Sequence, residues 1–228
     1  AKDLLELIGD ILDIARIESG RLNLSPERVS PSEIVGSVVR IFEGLARQKN
    51  LELQVEFNPA NPANDVLLDP MRFKQILSNL VSNAIKFTEQ GQVRINLELL
   101  STAQREHVRM LLQVEDSGIG ISERDQRKLF EPFAQADATG QSGRGGAGLG
   151  LVISRSLCEM MGGTLKLDSQ PGVGTQVQIS LLLPMLPIER ASPVAEPSVH
   201  TSTAPLDILV VDDHPANRLL MCQQLEFL

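Results

Sequence analysis

The chain has 228 residues, of which 42% are hydrophobic, so it is long and apolar enough to bury a full core in one or two domains. It contains no Trp or Tyr, has seven Phe and carries a formal net charge of −8. This composition argues against aromatic stacking platforms for single-stranded nucleic acid and against broad binding to a phosphate backbone, but it permits a nucleotide held through Mg²⁺ and a few fixed donors.

The cysteines and the apolar stretches exclude other classes of protein. Cys158 and Cys222 are isolated in sequence and indicate neither a thiolate metal site nor a disulfide, which fits a reducing cytoplasm. The most apolar stretch, residues 181–186, is too short to cross a bilayer, so we expect no membrane contact by this segment. Because the chain starts inside a helical pattern and ends soon after a new apolar pattern begins, we expect it to be cut from a longer parent.

The first predicted element is an amphipathic helix that ends at Gly20. Leu4, Ile8, Ile11 and Ala15 recur at spacings of four and three, which is typical of a helix packed in a bundle. One such helix cannot bury its own apolar stripe. We expect a second helix from missing residues, from another protomer or from the next domain to cover it.

Two longer helices are predicted in the main domain. Ser30 is an N-cap residue followed by a proline and then an acid at the third helical position, which predicts a helix that runs to about Gln48. Asp69 precedes another proline and opens a helix that runs to about Phe87.

Strand patterns and a third helix complete this domain. Strict alternation of apolar and polar residues at 51–57 predicts a half-buried strand. The strands at 92–100 and 108–115, and those at 164–168 and 175–183, are predicted to form two hairpins. A glycine-rich loop precedes the predicted helix at 149–161. The predicted strands are residues 51–57, 92–100, 108–115, 164–168 and 175–183, and the predicted helix is 149–161.

The composition changes after the last of these strands. Residues 187–205 are rich in Pro, Ser, Ala and Thr, which is typical of an extended linker. A short apolar run at 208–211 then predicts a buried parallel strand, followed by Asp212, Asp213 and a helix-like stretch from Pro215. This single βα unit cannot fold alone.

The helix that ends near Phe87 carries a polar face. Asn79, Asn83 and Lys86 recur at spacings of four and three, so they share one side of the helix. An amide oxygen together with triphosphate oxygens suits a hard cation such as Mg²⁺, and Asn83 is the candidate metal-contacting residue. The alternative is an ordinary solvated polar face.

Two glycine-rich segments follow. Asp116 ends an apolar strand and precedes Gly118 and Gly120, so its carboxylate could accept a hydrogen bond from an exocyclic amine; the alternative is an ordinary Asp-Ser-Gly turn. The glycines at 146, 148 and 150 precede a helix, whose N–H groups and positive end can hold phosphate oxygens. Arg144 either adds positive charge there or is a solvated loop residue.

Together these segments resemble the ATP-binding catalytic domain of sensor histidine kinases, in the superfamily that Hsp90, DNA gyrase and MutL share. Residues 79–88 resemble the family's N-box, 116–120 its first glycine box, 130–133 its F-box and 146–150 its second glycine box, while 174–175 resemble its final Gly-Thr element. The resemblance covers about residues 1–186. It implies an α/β fold, a two-layer sandwich in which helices cover one face of a mixed sheet.

The resemblance also implies a site for ATP and Mg²⁺. The family assigns adenine recognition to the position of Asp116, Mg²⁺ binding to that of Asn83, and phosphate contacts to Lys86 and the second glycine box. Residues 134–147 would form a lid, in which Ala147 replaces a Thr that many members have. The full predicted ATP-binding set is Asn79, Asn83, Lys86, Phe87, Asp116, Gly118, Gly120, Phe130, Phe133, Arg144, Gly146, Gly148, Leu149, Gly150 and Thr175.

A domain organisation of the hybrid-kinase type follows from the same resemblance. Residues 1–20 resemble the end of the second helix of a dimerisation hairpin, 21–186 the catalytic domain, 187–205 a linker and 206–228 the start of a receiver domain. Asp212 and Asp213 match the acidic pair that holds Mg²⁺ in receivers. The parent is expected to be a homodimer anchored in the inner membrane, with this segment in the cytoplasm.

The substrate His of the family lies on the first helix of that hairpin, which this sequence lacks. His107, His200 and His214 lie outside the family's motif. We therefore expect the chain to bind ATP without an acceptor of its own and to act with a His helix of the same or a partner protomer and with a receiver domain.

Three functions remain open at the level of sequence. A kinase would orient the γ-phosphate of Mg-ATP for attack by a His. An ATP hydrolase of the gyrase or Hsp90 kind would need a water-activating Glu one turn before the metal-binding Asn, where this chain has Asn79, and an amide cannot act as a general base. The third function is that of a non-catalytic module that regulates a partner kinase by docking.

Overall fold

A mixed β-sheet forms the centre of the fold. The computed structural model describes residues 2–58, 65–103, 106–131 and 148–186, with side chains from residue 7 onward. Within these ranges the strands are β1 Glu27–Val29, β2 Glu52–Phe57, β3 Asp65–Leu68, β4 Gln92–Ser101, β5 His107–Asp116, β6 Thr164–Gln170 and β7 Gly174–Leu186. The helices are α1 Lys2–Glu18, α2 Pro31–Gln48, α3 Pro70–Phe87, α4 Glu123–Gln126 and α5 Gly150–Met160.

The described strands run in the order β1-β3-β7-β5-β4-β2, and β6 pairs with β7 beside this path. β2 and β4 are parallel, whereas the other described pairs are antiparallel. The long strand β7 pairs with β5, β6 and β3 along its length, which places Thr175 opposite Asp116. The register of β7 therefore fixes the surroundings of the carboxylate at the end of β5.

One face of the sheet is apolar and covered by helices. Buried and partly exposed side chains alternate along β4, β5 and β7, as expected of strands with one covered face. From α3 the core receives Phe73, Ile76, Leu77, Leu80, Val81, Ala84 and Ile85. Their spacing of three and four residues forms an apolar stripe, so the polar residues of α3 lie on its other side. The predicted two-layer α/β sandwich is confirmed.

Helix α3 is fixed at both ends by side chains. Asp69 Oδ1 accepts a hydrogen bond from the Arg72 N–H at 3.0 Å, and its Oδ2 accepts from the Ser25 N–H at 2.9 Å. At the other end the ammonium group of Lys49 donates to backbone carbonyl oxygens that a helix terminus leaves without intrahelical partners. These oxygens belong to Ile85 (2.5 Å), Lys86 (3.1 Å) and Thr88 (2.9 Å).

The start of α2 differs in part from the prediction. Ser30 occupies the N-cap position and Pro31 opens the helix, but the Ser30 side chain makes no capping hydrogen bond. Its hydroxyl lies 2.9 Å from the hydroxyl of Ser32. The Ser30 side chain therefore contacts another side chain of the first turn instead of its N–H groups.

Three short elements were not predicted: β1, β3 and α4. β1 and β3 pair antiparallel, and the Arg28 guanidinium contacts the Asp65 carboxylate at 2.7 Å across the pair. Strands of three and four residues are too short to show alternation, so these strands are defined by pairing between segments more than 30 residues apart.

Helix α1 is apolar on two sides. Leu7, Ile14 and Ile17 pack against the buried core, which therefore covers part of the helix. Ile8 and Ile11, which belong to the predicted stripe, are 46% and 44% exposed. The next domain thus covers a different face of α1 from the one that the stripe predicted. None of the described helices is long and apolar enough to cross a bilayer.

Several sequence predictions fall outside the described residues. They concern the turn with Pro59 and Pro62, Phe133, Arg144, Gly146, the lid at 134–147, the linker at 187–205, and the βα unit with Asp212 and Asp213.

Candidate nucleotide-binding site

The polar face of α3 lies beside the start of α5. Asn83 Nδ2 donates to Asn79 Oδ1 at 3.3 Å, and Asn79 Nδ2 donates to the hydroxyl of Ser154 at 2.9 Å. Both asparagines and Lys86 are half-buried. The two amides therefore form a hydrogen-bonded chain that ends on α5, which an ordinary solvated face would not do.

The start of α5 approaches α3 closely. Gly148 has a positive φ of 71°, Leu149 is buried, and Gly150 is the first helical residue. A Cβ atom at Gly150 would clash with the Asn79 side chain, so glycine permits the close approach with Asn79 in its present position. The first N–H groups of a helix lack intrahelical partners, and its N-terminal end is positive. An anion held at this end of α5 would therefore lie next to the asparagine pair.

The last residue of α3 meets the loop after β5. The Phe87 carbonyl oxygen accepts from the Ile119 N–H at 3.3 Å, and the Gly118 N–H donates to Asp116 Oδ1 at 2.9 Å. Lys86 Nζ lies 5.1 Å from the centroid of the Phe87 ring, which is 39% exposed. One helix thus connects the asparagine pair with the loop that carries Asp116.

Asp116 is largely buried at the end of β5. Desolvation raises the pKa of its carboxyl above the ordinary value of 3.8, although hydrogen bonds from the Gly118 and Thr175 N–H groups act in the opposite direction and Glu115 raises it further. The Thr175 hydroxyl is itself 2.9 Å from the Ser169 hydroxyl. A fixed carboxylate of this kind can accept a hydrogen bond from an amine in a flat ligand.

The first glycine box is held against the turn between β6 and β7. Gly120 has a φ of 66°, and a Cβ atom there would clash with the Gln170 carbonyl group, so both its conformation and its surroundings require glycine. The Ile121 N–H donates to the Ser169 hydroxyl at 2.8 Å. The loop after Asp116 is therefore also attached to β6, through Ser169.

Phe130, the first residue of the predicted F-box, lies against α5. The guanidinium of Arg155 is 4.6 Å from the centroid of the Phe130 ring and donates to the Phe130 carbonyl oxygen at 3.2 Å. Arg155 Nε is also 3.9 Å from a carboxylate oxygen of Glu159. This arrangement joins the F-box to the helix that follows the second glycine box.

The sequence interpretation missed Ser154, Arg155, Ser169 and Lys49. Ser154 is 1% exposed, and the other buried residues of α5 are Val152, Ile153, Leu157 and Cys158, so a polar residue within this buried stripe was the available signal. The partners of Ser169 and Lys49 are defined by loops and helix ends that no local pattern reveals.

His107 begins β5 nine residues before Asp116, which corresponds to about 30 Å along an extended strand. It therefore lies far from the candidate site.

The donor chemistry near Asn83 suits Mg²⁺ in the presence of a nucleotide. An amide oxygen is a hard, neutral ligand, and phosphate oxygens would complete the coordination. Because the Asn83 nitrogen faces Asn79, the Asn83 oxygen is the atom that remains for a cation.

Known proteins resemble this chain in sequence. The model of the family described as histidine kinase-, DNA gyrase B- and HSP90-like ATPase matches residues 68–185. The chain is 47% identical over 235 residues to the virulence sensor protein BvgS of Bordetella bronchiseptica, with 100% of this chain and 19% of BvgS covered. It is 38% identical over 233 residues to the sensor protein EvgS of Escherichia coli K12, with 100% of this chain and 19% of EvgS covered. The chain thus spans about a fifth of the length of these relatives.

Solved structures show the same fold. Full-length ShkA in complex with AMPPNP gives a TM-score of 0.67 at 30% identity, covering 80% of this chain and 36% of ShkA. The Acinetobacter baumannii histidine kinase AdeS gives a TM-score of 0.62 at 25% identity, covering 78% of this chain and 77% of AdeS. The chain therefore belongs to the family of histidine kinase-, DNA gyrase B- and HSP90-like ATPases, and in sequence and fold it is similar to the catalytic ATP-binding parts of sensor histidine kinases.

Proposed function

We propose that this chain transfers the γ-phosphate of Mg-ATP to a His on a dimerisation helix outside the sequence, as the catalytic part of a hybrid sensor histidine kinase. The observation that carries this proposal is the position of α3. Its asparagine pair adjoins the start of α5, and its last residue adjoins the Asp116 loop. Eight residues separate Asn79 from Phe87, a rise of about 12 Å, so the helix offers separate places for the phosphates and for the base.

Each end of the nucleotide has its own residues in this proposal. Asp116 accepts from the exocyclic amine of adenine, while Gly118, Gly120 and Thr175 hold that carboxylate and its loop. Phe87 and Phe130 flank the site. At the other end the start of α5 at 148–150 contacts the phosphates, with Asn79 beside it. Lys86 lies next to Phe87 in the sequence, and its long side chain contacts the phosphates from that side.

Asn83 is the proposed protein ligand of Mg²⁺, through its amide oxygen. When bound, Mg²⁺ supplies positive charge to the phosphate oxygens. The chain's own contribution is to hold the triphosphate in line with an incoming imidazole and to keep Asn83 oriented. Phe133, Arg144, Gly146 and a lid at 134–147 complete the proposed site.

Phosphoryl transfer is favoured over hydrolysis by the chemistry of Asn79. Its amide has no basic group to activate water, and its Nδ2 is engaged by Ser154. Slow ATP hydrolysis is therefore expected. A purely regulatory module would need neither the amide chain nor the Asp116 loop.

The wider organisation is also a proposal. Residues 1–20 would end the second helix of a dimerisation hairpin, 21–186 would form the catalytic domain, 187–205 a linker and 206–228 the start of a receiver with Asp212 and Asp213 in its acidic pair. The exposed residues Ile8, Ile11 and Leu12 of α1 fit contact with other helices in a homodimer. The segment would act in the cytoplasm, within a parent anchored in the inner membrane.

The test is calorimetric binding of AMP-PNP with Mg²⁺, followed by transfer from labelled ATP to a separately supplied His-containing hairpin. We expect wild type to bind and to phosphorylate the hairpin. Asp116→Asn should lose most of the affinity, whereas Asp168→Asn, which changes an exposed carboxylate on β6, should behave as wild type. Equal affinity of wild type and Asp116→Asn would refute the adenine assignment, and binding without transfer would refute the kinase proposal.

A further inference from the structure

Ser154 is a buried polar residue that none of the motifs includes. It lies in α5, is 1% exposed, and its hydroxyl oxygen accepts from Asn79 Nδ2 at 2.9 Å. The other residues of α5 that are buried, such as Ile153 and Leu157, are apolar or pack as apolar groups. The hydroxyl therefore contributes a polar contact in an otherwise apolar layer.

Two hydrogen bonds link Asn83, Asn79 and Ser154. Their direction determines whether each asparagine directs its amide oxygen or its amide nitrogen to the next group. An amide has a donor nitrogen on one side and an acceptor oxygen on the other. With Asn79 Nδ2 held by Ser154, Asn79 Oδ1 faces Asn83 and accepts from Asn83 Nδ2 at 3.3 Å. The Asn83 oxygen is then directed away from Asn79.

The start of α5 favours this direction over the reverse. A serine hydroxyl can donate as well as accept, so Ser154 alone does not decide between the two orientations of the Asn79 amide. Asn79 Oδ1 is, however, the side-chain atom nearest to a Cβ built on Gly150, at the positive end of α5. This position suits an oxygen better than an NH₂ group, which leaves the nitrogen for Ser154.

We propose that Ser154 is a positioning residue for the cation site: its hydroxyl is the terminal acceptor of a chain through Asn79 that presents the Asn83 oxygen to Mg²⁺. This inference rests on the proposed function, since it requires Asn83 to bind the cation. Residues that orient a metal ligand without touching the metal commonly contribute strongly to metal affinity. Loss of the acceptor would leave the Asn79 nitrogen unpaired whenever the Asn83 oxygen is on the cation.

The experiment measures the Mg²⁺ enhancement of AMP-PNP binding, defined as the Kd in EDTA divided by the Kd in saturating Mg²⁺. Ser154→Ala should lower this ratio by about tenfold while the Kd in EDTA stays that of wild type. Ser154→Thr keeps the hydroxyl and should restore most of the ratio. Ser156→Ala, which removes a half-buried hydroxyl two residues along the same helix, is the matched control and should leave it unchanged.

Two results would overturn the proposal. A Ser154→Ala ratio equal to that of wild type would show that the hydroxyl does not act on the cation site. An equal rise in Kd with and without Mg²⁺ would show a packing role only. If Ser154→Ala does not fold, Ser154→Cys replaces it, because a thiol is a weak acceptor of similar size.

Failure of the proposed function gives a different result. A wild-type chain without Mg²⁺ enhancement refutes the assignment of Asn83 and, with it, the role of Ser154. If the wild-type chain shows the Mg²⁺ enhancement of AMP-PNP binding, the Ser154 variants test the role of Ser154 alone.

Discussion

At the scale of single residues, Asp116 shows opposing effects of its surroundings. Burial raises the pKa of its carboxyl, while the N–H groups of Gly118 and Thr175 favour the ionised form. In the free domain a raised pKa means that the stability this group contributes is fully present below its unfolded pKa near 3.8 and is lost as pH rises through the higher folded pKa. The ionised carboxylate is thus kept at some expense of stability, as expected of a binding group.

The raised pKa predicts an acid limit for nucleotide binding. Only the ionised carboxylate can accept at both oxygens, so affinity for AMP-PNP should fall as pH falls through the pKa of Asp116. Because that pKa is raised, the fall should begin above the pH expected for an ordinary aspartate with a pKa of 3.8. Calorimetry over a pH series measures it.

The control for this prediction is Asp116→Asn, whose side chain does not ionise. Its weaker binding should not show the same fall in affinity at low pH. Any remaining fall should come from protonation of the AMP-PNP phosphates, which affects both proteins equally. Parallel pH profiles for the two proteins would contradict the prediction.

At the scale of elements, α2 and α3 share the same pattern of a capping residue followed by proline, but their first turns are capped differently. Both follow a capping residue with proline, yet Asp69 accepts from Arg72 and Ser25 whereas Ser30 makes no capping bond. The Ser25 bond also fixes the chain before β1 to the start of α3. Asp69 therefore has a tertiary role that its sequence signature does not show.

Asp69→Ala should destabilise the domain by about 2 kcal/mol, because it removes a cap and leaves a second N–H without its acceptor. Ser30→Ala is the matched control and should cost clearly less. Urea denaturation of both variants gives the comparison. Similar losses in the two would mean that the Asp69 contacts add nothing beyond the cap position.

The C-terminal end of α3 depends on another distant residue. Lys49 donates to three carbonyl oxygens there, and the adjoining Phe87 carbonyl accepts from Ile119. A positive side chain at a helix C-terminus is also favoured by the helix dipole. The end of α2 thus positions the end of α3 on which the Asp116 loop packs.

At the scale of the whole molecule, α1 is joined to α3 by polar contacts. The Asp13 carboxylate accepts from Arg72 Nη1 at 3.1 Å and from Gln75 Nε2 at 2.7 Å, and the Asp13 and Arg72 side chains are only 15% and 16% exposed. Arg72 lies in the first turn of α3. The face of this helix that carries Asn79 belongs to the candidate site. The position of α1 is therefore linked to the helix that would hold the nucleotide.

A double-mutant cycle of Asp13→Ala and Arg72→Ala should give a coupling energy of about 1–3 kcal/mol in urea denaturation. The matched control is the exposed pair Glu43 and Arg47 on α2, with a 3.6 Å separation, which should couple by about 0.5 kcal/mol or less. Additive effects of the Asp13 and Arg72 substitutions would show that the contact does not hold α1 in place.

The sequence by itself determined the family, the type of fold and the main elements. Helix and strand periods are local, so α2, α3, α5, β4 and β5 follow from spacing, and the order of the glycine and asparagine motifs indicates the superfamily. The predicted site residues that the structure describes lie along α3, at the end of β5 and in the loop after it, at the start of α5, after α4 (Phe130) and at the start of β7 (Thr175). Their roles in binding remain predictions.

Only the tertiary structure decided which distant groups meet. The pairing of β1 with β3, the covered face of α1 and the hydrogen bonds of Lys49 all depend on segments far apart in the chain. The bond between Asn79 and Ser154 spans 75 residues, and the one between Ser25 and Asp69 spans 44. Local periodicity carries no information on such contacts, because they form only when packing of the whole domain brings the two backbones together.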